Sequence, residues 1–295
     1  MLIISVLDVL TIFLVQNYSA FILRLFSSYF RLYLLYSLLF AFRPVIFSTF
    51  VLSSYFLFYA AFMRHLLLVS ATRFEIAATL SFLDQTYKQV EQDVFLSNSL
   101  RVSVVITGVG GIKTSVALLQ SPFVLSSNSP IDLALQVGIA GAYRKTRLLG
   151  ELVEVVQEQF GDIGAMDDDF NFHTIGELGF EDIHAFPFEA GCILNHTTEQ
   201  KHGIGEALPK VAGNSVNMVN GQQVMIQKLV QKFPRIEVET MEGAAFFYAC
   251  KQLGLPFCQI RAISNYVEPR NRANWKVIEA VEALNTFLVA ELSKR

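Results

Sequence analysis

Two acids, Glu75 and Glu242, the pair Ser264-Asn265, and two glycine-rich turns, Gly108-Val109-Gly110-Gly111 and Gly138-Ile139-Ala140-Gly141, are the residues of this 295-residue chain placed to do chemistry. Each follows an apolar run of strand type, and in open α/β sheets ligands gather beyond the carboxyl ends of the strands. Such groups offer a base, a neutral donor and backbone N–H groups. The turn at Gly108 runs into Ile112-Lys113-Thr114 and looks like a phosphate loop. It lacks the adjacent Gly-Lys-Thr/Ser order and the third glycine of the dinucleotide fingerprint. By itself it reads as a tight strand-to-helix turn, which can still aim N–H groups at a ligand. The acids have plain structural explanations too, since both open helices, where the dipole favours a carboxylate by about 0.3–1 kcal/mol. Asp167, Asp168 and Asp169 read as a solvated loop. The five His are scattered without ligand spacing, so no metal or other cofactor is expected.

The elements that must position these groups follow from hydropathy and glycine punctuation. Strands are expected at 66–71, 101–107, 132–137, 151–157, 236–239 and 257–263. Helices are expected at 73–84, 112–119, 221–232, 241–253 and 277–294, the last amphipathic. Residues 161–202 read as loop-rich. Strands alternating with helices argue an α/β domain whose mostly parallel sheet is covered on both faces.

Composition excludes several classes. The net charge of −3 gives no case for nucleic acid as a partner. A hydrophobic share of 53% excludes disorder. Cys192, Cys250 and Cys258 form neither a disulfide framework nor a metal spacing, and their odd number fits a reducing, cytoplasmic compartment.

The averages hide two different stretches. Residues 1–62 contain no Gly, Lys or Glu and hold 11 of the 26 Phe and 6 of the 10 Tyr. Residues 63–295 hold all 17 Gly, with 20 basic against 25 acidic side chains. A boundary therefore falls near Met63. The run 44–63 carries no charge over twenty residues, long enough to span a bilayer. Residues 1–62 thus read either as apolar membrane helices or as upstream DNA translated from a start assigned too early. The bias toward Phe, Leu, Ser, Tyr and Ile, whose codons are pyrimidine-rich, favours the second.

Four segments taken together carry more than their parts: Ala71-Thr72-Arg73-Phe74-Glu75, Gly138-Ile139-Ala140-Gly141, Val238-Glu239-Thr240-Met241-Glu242-Gly243, and Arg261-Ala262-Ile263-Ser264-Asn265. They resemble the nucleoside phosphorylase and nucleosidase superfamily. Within it, the tail Ser264–Trp275 and the stretch Gly161-Asp162-Ile163-Gly164-Ala165-Met166 are similar to the futalosine hydrolase subfamily. The resemblance runs from Met63 to the C-terminus.

The resemblance implies a three-layer α/β/α domain of phosphorylase/hydrolase type, with a mostly parallel mixed sheet. It implies hydrolysis of a purine N-glycosidic bond, here that of futalosine, in the alternative menaquinone pathway. Glu75 would activate water, Met241 and Glu242 would hold the ribose, and Ala140 and Gly141 would lie against the base. Val216 and Asn217 would present backbone to it. Adenine-specific relatives have Asp where this chain has Asn265. A carboxamide supplies a donor and an acceptor but no titratable proton, which suits a 6-oxopurine, hypoxanthine. Arg270 and Arg272 could pair with the substrate's benzoate, or be surface arginines. The family implies a homo-oligomer acting on a small nucleoside and water. The alternatives are an adenine-nucleoside nucleosidase or a purine nucleoside phosphorylase, and a membrane-anchored binding protein without catalysis.

Overall fold

The computed structural model describes residues 64–125, 130–196, 203–269 and 271–295, all within one compact unit of the chain. The apolar segment 1–62 and Arg270 lie outside the described residues. Among the described residues no helix is long and apolar enough to cross a membrane.

Strand β1 (Arg64–Ser70) is buried after its first residue. It pairs in parallel with β4 (Leu100–Ile106) and β5 (Leu133–Ala142). A continuous apolar run is what a parallel strand covered on both faces requires. Alternation sorts its side chains between two cores. Leu66 and Leu68 pack with helices α1 (Ala77–Thr86) and α6 (Val277–Leu292). Leu67 and Val69 pack on the other face with α2 (Gly111–Leu119) and α5 (Gly243–Leu253). Two short helices complete the chain order, α3 (Pro122–Leu125) and α4 (Gln223–Lys232).

A hairpin of β2 (Lys88–Glu91) and β3 (Val94–Leu96) extends the sheet beyond β4. On the other side β5 pairs with β12 (Phe257–Tyr266), then come β6 (Leu152–Phe160), β10 (Lys210–Ser215) and β11 (Ile236–Thr240). The small strand β9 (Ile193–Leu194) edges β6. β11 then returns to pair antiparallel with the end of β5, closing these five strands into a ring. Gly141 of β5 stands opposite Glu239 on one side and Asn265 on the other. A mixed sheet with helices on both faces is the expected architecture.

One local expectation needs correction, and the structure adds elements that no sequence pattern marks. Residues 138–141 do not end a strand in a turn; they continue β5 through Ala142. The glycines are there because other side chains approach the backbone closely. A Cβ at Gly138 would lie 2.5 Å from Arg261 Nη1, and one at Gly141 3.1 Å from Asn265 Nδ2. The stretch 161–202 is loop-rich as expected, with short strands set in it. It holds the hairpin of β7 (Gly164–Met166) and β8 (Phe172–Thr174), whose turn is closed by Asp167 accepting from the Asp169 and Asn171 amides. Strands β2, β3 and β10 carry no alternating pattern. β2 is wholly exposed, and β10 buries Asn214 and Ser215 beside the apolar Val211.

One buried side chain joins the two helices nearest Glu75. Asn285 of α6 accepts from the Thr79 amide and hydroxyl, both at 2.8 Å, and donates to the Glu75 carbonyl at 2.8 Å. Replacing it by Leu strands these partners in the core. Asn285→Leu is expected to cost about 2–4 kcal/mol, read as a lower urea midpoint with an unchanged slope. An unshifted midpoint would contradict this role.

Candidate active site

Glu75 follows β1 in the turn leading to α1 and is 7% exposed. Its Oε2 accepts from the Thr72 amide at 3.0 Å and the Thr72 hydroxyl at 2.9 Å, and lies 3.4 Å from the Ser70 hydroxyl. The Glu75 amide reaches back to Thr72 Oγ1 at 3.3 Å. This is the reciprocal pattern of a capping box, and Thr-x-x-Glu is its sequence signal. Glu75 Oε1 accepts from the Ile139 amide of β5 at 3.1 Å. Strand ends, rather than a flexible side chain, thus set the carboxylate's position.

Across Gly138 lies Arg261 of β12, only 1% exposed. The space a Cβ would take at Gly138 is 2.5 Å from Arg261 Nη1 and 2.8 Å from Glu75 Oε1. Arg261 Nη2 donates to Gln136 Oε1 at 2.9 Å, and Nη1 lies 3.6 Å from Glu242 Oε2. One buried guanidinium therefore pairs with Glu242 and faces Glu75 across the space at Gly138. Arg261 was missed as a candidate, although a charged residue inside an apolar strand pattern is itself a signal.

Glu242 is the residue before α5 and is 5% exposed. It does not cap its own helix. Its Oε1 accepts from the Gly110 amide at 2.9 Å, where Gly110 has φ +101°. The glycine turn after β4 thus aims a backbone donor at Glu242. The capping that Glu242 forgoes is done from below. The Ala244 amide donates to Ser215 Oγ at 2.7 Å and the Gly243 amide to Thr240 Oγ1 at 3.3 Å. Those hydroxyls donate to Glu158 at 3.0 and 3.2 Å, and Gln259 Nε2 adds a third bond at 3.1 Å. Glu158 is fully buried, and burial pushes its carboxyl up to about 7 against the pull of Arg261 and these donors.

Asn265 accepts from the Ser264 hydroxyl at 2.8 Å and donates to the Tyr266 carbonyl at 3.1 Å. Ala140 and Gly141 lie on the adjoining strand. Met241, Val216 and Asn217 share the lining of a cavity of about 170 Å³ with Phe160, Asp162 and Tyr248. Val216 is fixed by the hydrogen bond that its amide donates to the Thr240 carbonyl at 2.9 Å. A larger cleft of about 610 Å³ adjoins it through Asp162 and Val216 and runs along the β7–β8 hairpin.

The structure thus groups Glu75 with Glu242, Asn265 with Ala140 and Gly141, and Met241 with Val216 and Asn217. Arg272 is not gathered in. It is exposed in a single 3-10 turn, Arg272–Asn274, and makes no ion pair among the described residues. Arg73 also points away, pairing with both oxygens of Asp93 at 2.6 Å. Among the described residues no group of three or more His, Cys, Asp or Glu is placed to hold a metal ion.

The phosphorylase superfamily pattern matches residues 65–291. The chain belongs to this superfamily. It is 31% identical over 182 residues to a futalosine hydrolase of Thermus thermophilus, covering 60% of this chain and 75% of that one. It is 25% identical over 177 residues to a 5'-methylthioadenosine/S-adenosylhomocysteine nucleosidase of Colwellia psychrerythraea, covering 56% of this chain and 66% of that one. In fold it matches the solved futalosine hydrolase of Helicobacter pylori with a TM-score of 0.62 at 15% identity, over 79% of this chain and 99% of that one.

The raised carboxyl of Glu158 sets a pH dependence. Its pKa is about 7 in the fold against 4.5 ordinarily, so the native state holds the proton more tightly than the unfolded chain. The stability this contributes is complete below the unfolded pKa and is lost as pH rises through the folded one. Glu158→Gln does not titrate. Its Tm relative to the parent is expected to rise between about pH 5 and about pH 8, measured by thermal melts. Parallel curves for the two proteins would contradict the assignment.

Proposed function

We propose that the chain hydrolyses the N-glycosidic bond of futalosine, releasing hypoxanthine and dehypoxanthine futalosine in alternative menaquinone biosynthesis. The observation that carries this is the cluster of Glu75, Arg261 and Glu242 around Gly138, together with the likeness to curated futalosine hydrolases. Cleavage develops positive charge on the sugar. It needs a base for water, a grip on the ribose hydroxyls and a donor to the departing base. Glu75 serves as the base. Glu242 holds the 2'- and 3'-hydroxyls, and its charge strengthens that hold as the sugar becomes cationic. Met241 packs on the ribose, and Ala140, Gly141, Val216 and Asn217 surround the purine. Asn265 donates to N7 or O6 and stabilises the leaving hypoxanthine anion without protonating it.

An adenine-nucleoside nucleosidase is the competing reading, favoured by the likeness to the Colwellia enzyme; Asn265 speaks against it. Phosphorolysis is disfavoured because Arg73 is engaged with Asp93 and Glu75 would repel phosphate. Of the two arginines after Asn265, Arg270 is the one proposed to pair with the benzoate, Arg272 being exposed in its 3-10 turn. Catalysis resides in residues 63–295, acting in the cytoplasm.

We also propose a homo-oligomer. Ile112, Val116 and Leu119 form an exposed apolar stripe along α2, with Val109 exposed in the turn before it, beside the cavity that Ile112 lines. Contiguous apolar surface of this kind is what a self-association face presents. Light scattering is expected to give a multiple of the chain mass, with Val116→Asp returning it toward one chain. A parent protein already of single-chain mass would remove this proposal.

The central test follows hypoxanthine release from futalosine in phosphate-free buffer. Release is expected from the full chain and from residues 63–295 alike, independent of added phosphate. Glu75→Gln should lower kcat by about 10²–10⁴-fold. A rate proportional to phosphate, or full activity in Glu75→Gln, would overturn the mechanism.

A further inference from the structure

The cavity beside Met241 has mostly apolar walls, among them Phe160, Ile163, Val216 and Tyr248. One carboxylate, Asp162, stands among its lining residues, immediately after β6. Asp162 makes no ion pair among the described residues. It is exposed at the cavity's rim and is held by Asn217: Oδ2 accepts from the Asn217 amide and Oδ1 from Asn217 Nδ2 at 3.2 Å.

This pairing changes what the cavity edge can offer. The main-chain N–H of Asn217 would otherwise be a donor at this edge. With Asp162 bound to it, that donor is engaged and the edge carries carboxylate lone pairs instead. Each carboxylate oxygen has room for a further donor. An apolar slot with an acceptor at one edge selects a flat ring bearing an N–H there.

The two common purine types differ at this very atom. A 6-oxopurine carries a hydrogen on N1, next to O6, and so donates. A 6-aminopurine has a bare N1 and would meet the carboxylate acceptor to acceptor. We infer that Asp162 is a specificity-determining residue, accepting the N1–H of a 6-oxopurine and turning away 6-aminopurines. The inference rests on the proposed nucleosidase reading and deepens it. It is independent of Asn265, which acts from β12 on the other part of the base.

The test uses the full chain and its Asp162→Asn variant, in which the new carbonyl can still accept from the Asn217 amide. Two substrates are compared, futalosine and its 6-amino counterpart, identical except at the base. Calorimetry with free hypoxanthine and free adenine runs alongside. The parent is expected to favour the 6-oxo member in both measurements, and Asp162→Asn to shrink that preference by about 10–100-fold, with the change mainly in KM. An unchanged ratio of kcat/KM in a variant that still cleaves futalosine overturns the inference and leaves the proposed function standing. If the parent cleaves neither nucleoside, the proposed function falls and calorimetry decides the inference. A hypoxanthine preference lost in Asp162→Asn supports it. Equal weakening for both bases, no preference, or no binding of either overturns it.

Discussion

The centre of this protein depends on a single buried guanidinium. Arg261 sits in the middle of the sheet at 1% exposure. Taking such a charge out of water costs several kcal/mol unless anions and acceptors answer it. Here the answer comes from Gln136 beside it on β5, from Glu242 beyond the end of β11, and from Glu158 on β6. Glu75 reaches the same space across Gly138. The guanidinium can reach them only because residue 138 has no side chain. The glycine is thus a condition of the charge cluster, and the charge cluster is a condition of two acids coexisting in a buried site.

A second constraint is the division of labour at the start of α5. A helix N-terminus has amide donors to satisfy, and the residue preceding it usually supplies the acceptor. If Glu242 did so, its carboxylate would turn onto its own helix. Instead Ser215 and Thr240 receive the Gly243 and Ala244 amides and pass the polarity on to Glu158. The arrangement leaves no space for a side chain at 243, where a Cβ would come within 1.8 Å of Glu158. Glu242 is left to face Gly110 and Arg261. Closure of the ring between β11 and β5 brings this turn back beside Gly141 and, through β12, to Asn265.

Much of this was legible in the sequence, and what was not has physical reasons. The apolar runs of β1 and β4, and the alternation of strands and helices, report burial directly. Glu75, Glu242 and Asn265 stood out because each follows such a run, and Met241 only through the family resemblance. The glycines at 138 and 141 were visible, yet a glycine that admits a neighbouring side chain has the same letter as one that turns the chain. Only tertiary contacts distinguish them. Strand β10 and Glu158 were hidden for a related reason. Their polar side chains are buried because they satisfy one another across β6, β10, β11 and β12, and no local pattern records partners 57 to 101 residues apart. Arg272 was drawn in by proximity in sequence to Asn265, whereas the chain after the buried Val267 is exposed at residues 271–274.

The electrostatic balance bears on the choice between water and phosphate as nucleophile. The buried cluster holds one guanidinium against three carboxyl groups, of which Glu158 keeps its proton for part of the time near neutrality because its pKa is about 7. Glu75 already receives the Thr72 and Ile139 amides, donors that an incoming phosphate would need. Of the nearby arginines, Arg261 is committed to Gln136 and lies 3.6 Å from Glu242, and Arg73, 54% exposed, is committed to Asp93. A dianion brought against Glu75 would meet repulsion in a region where little solvent screens it. A water molecule meets no such penalty, which accords with the proposed role of Glu75 as its base. The preference for water thus follows from the acids and from where the arginines point, and a single added cation near Glu75 is the change that would begin to reverse it.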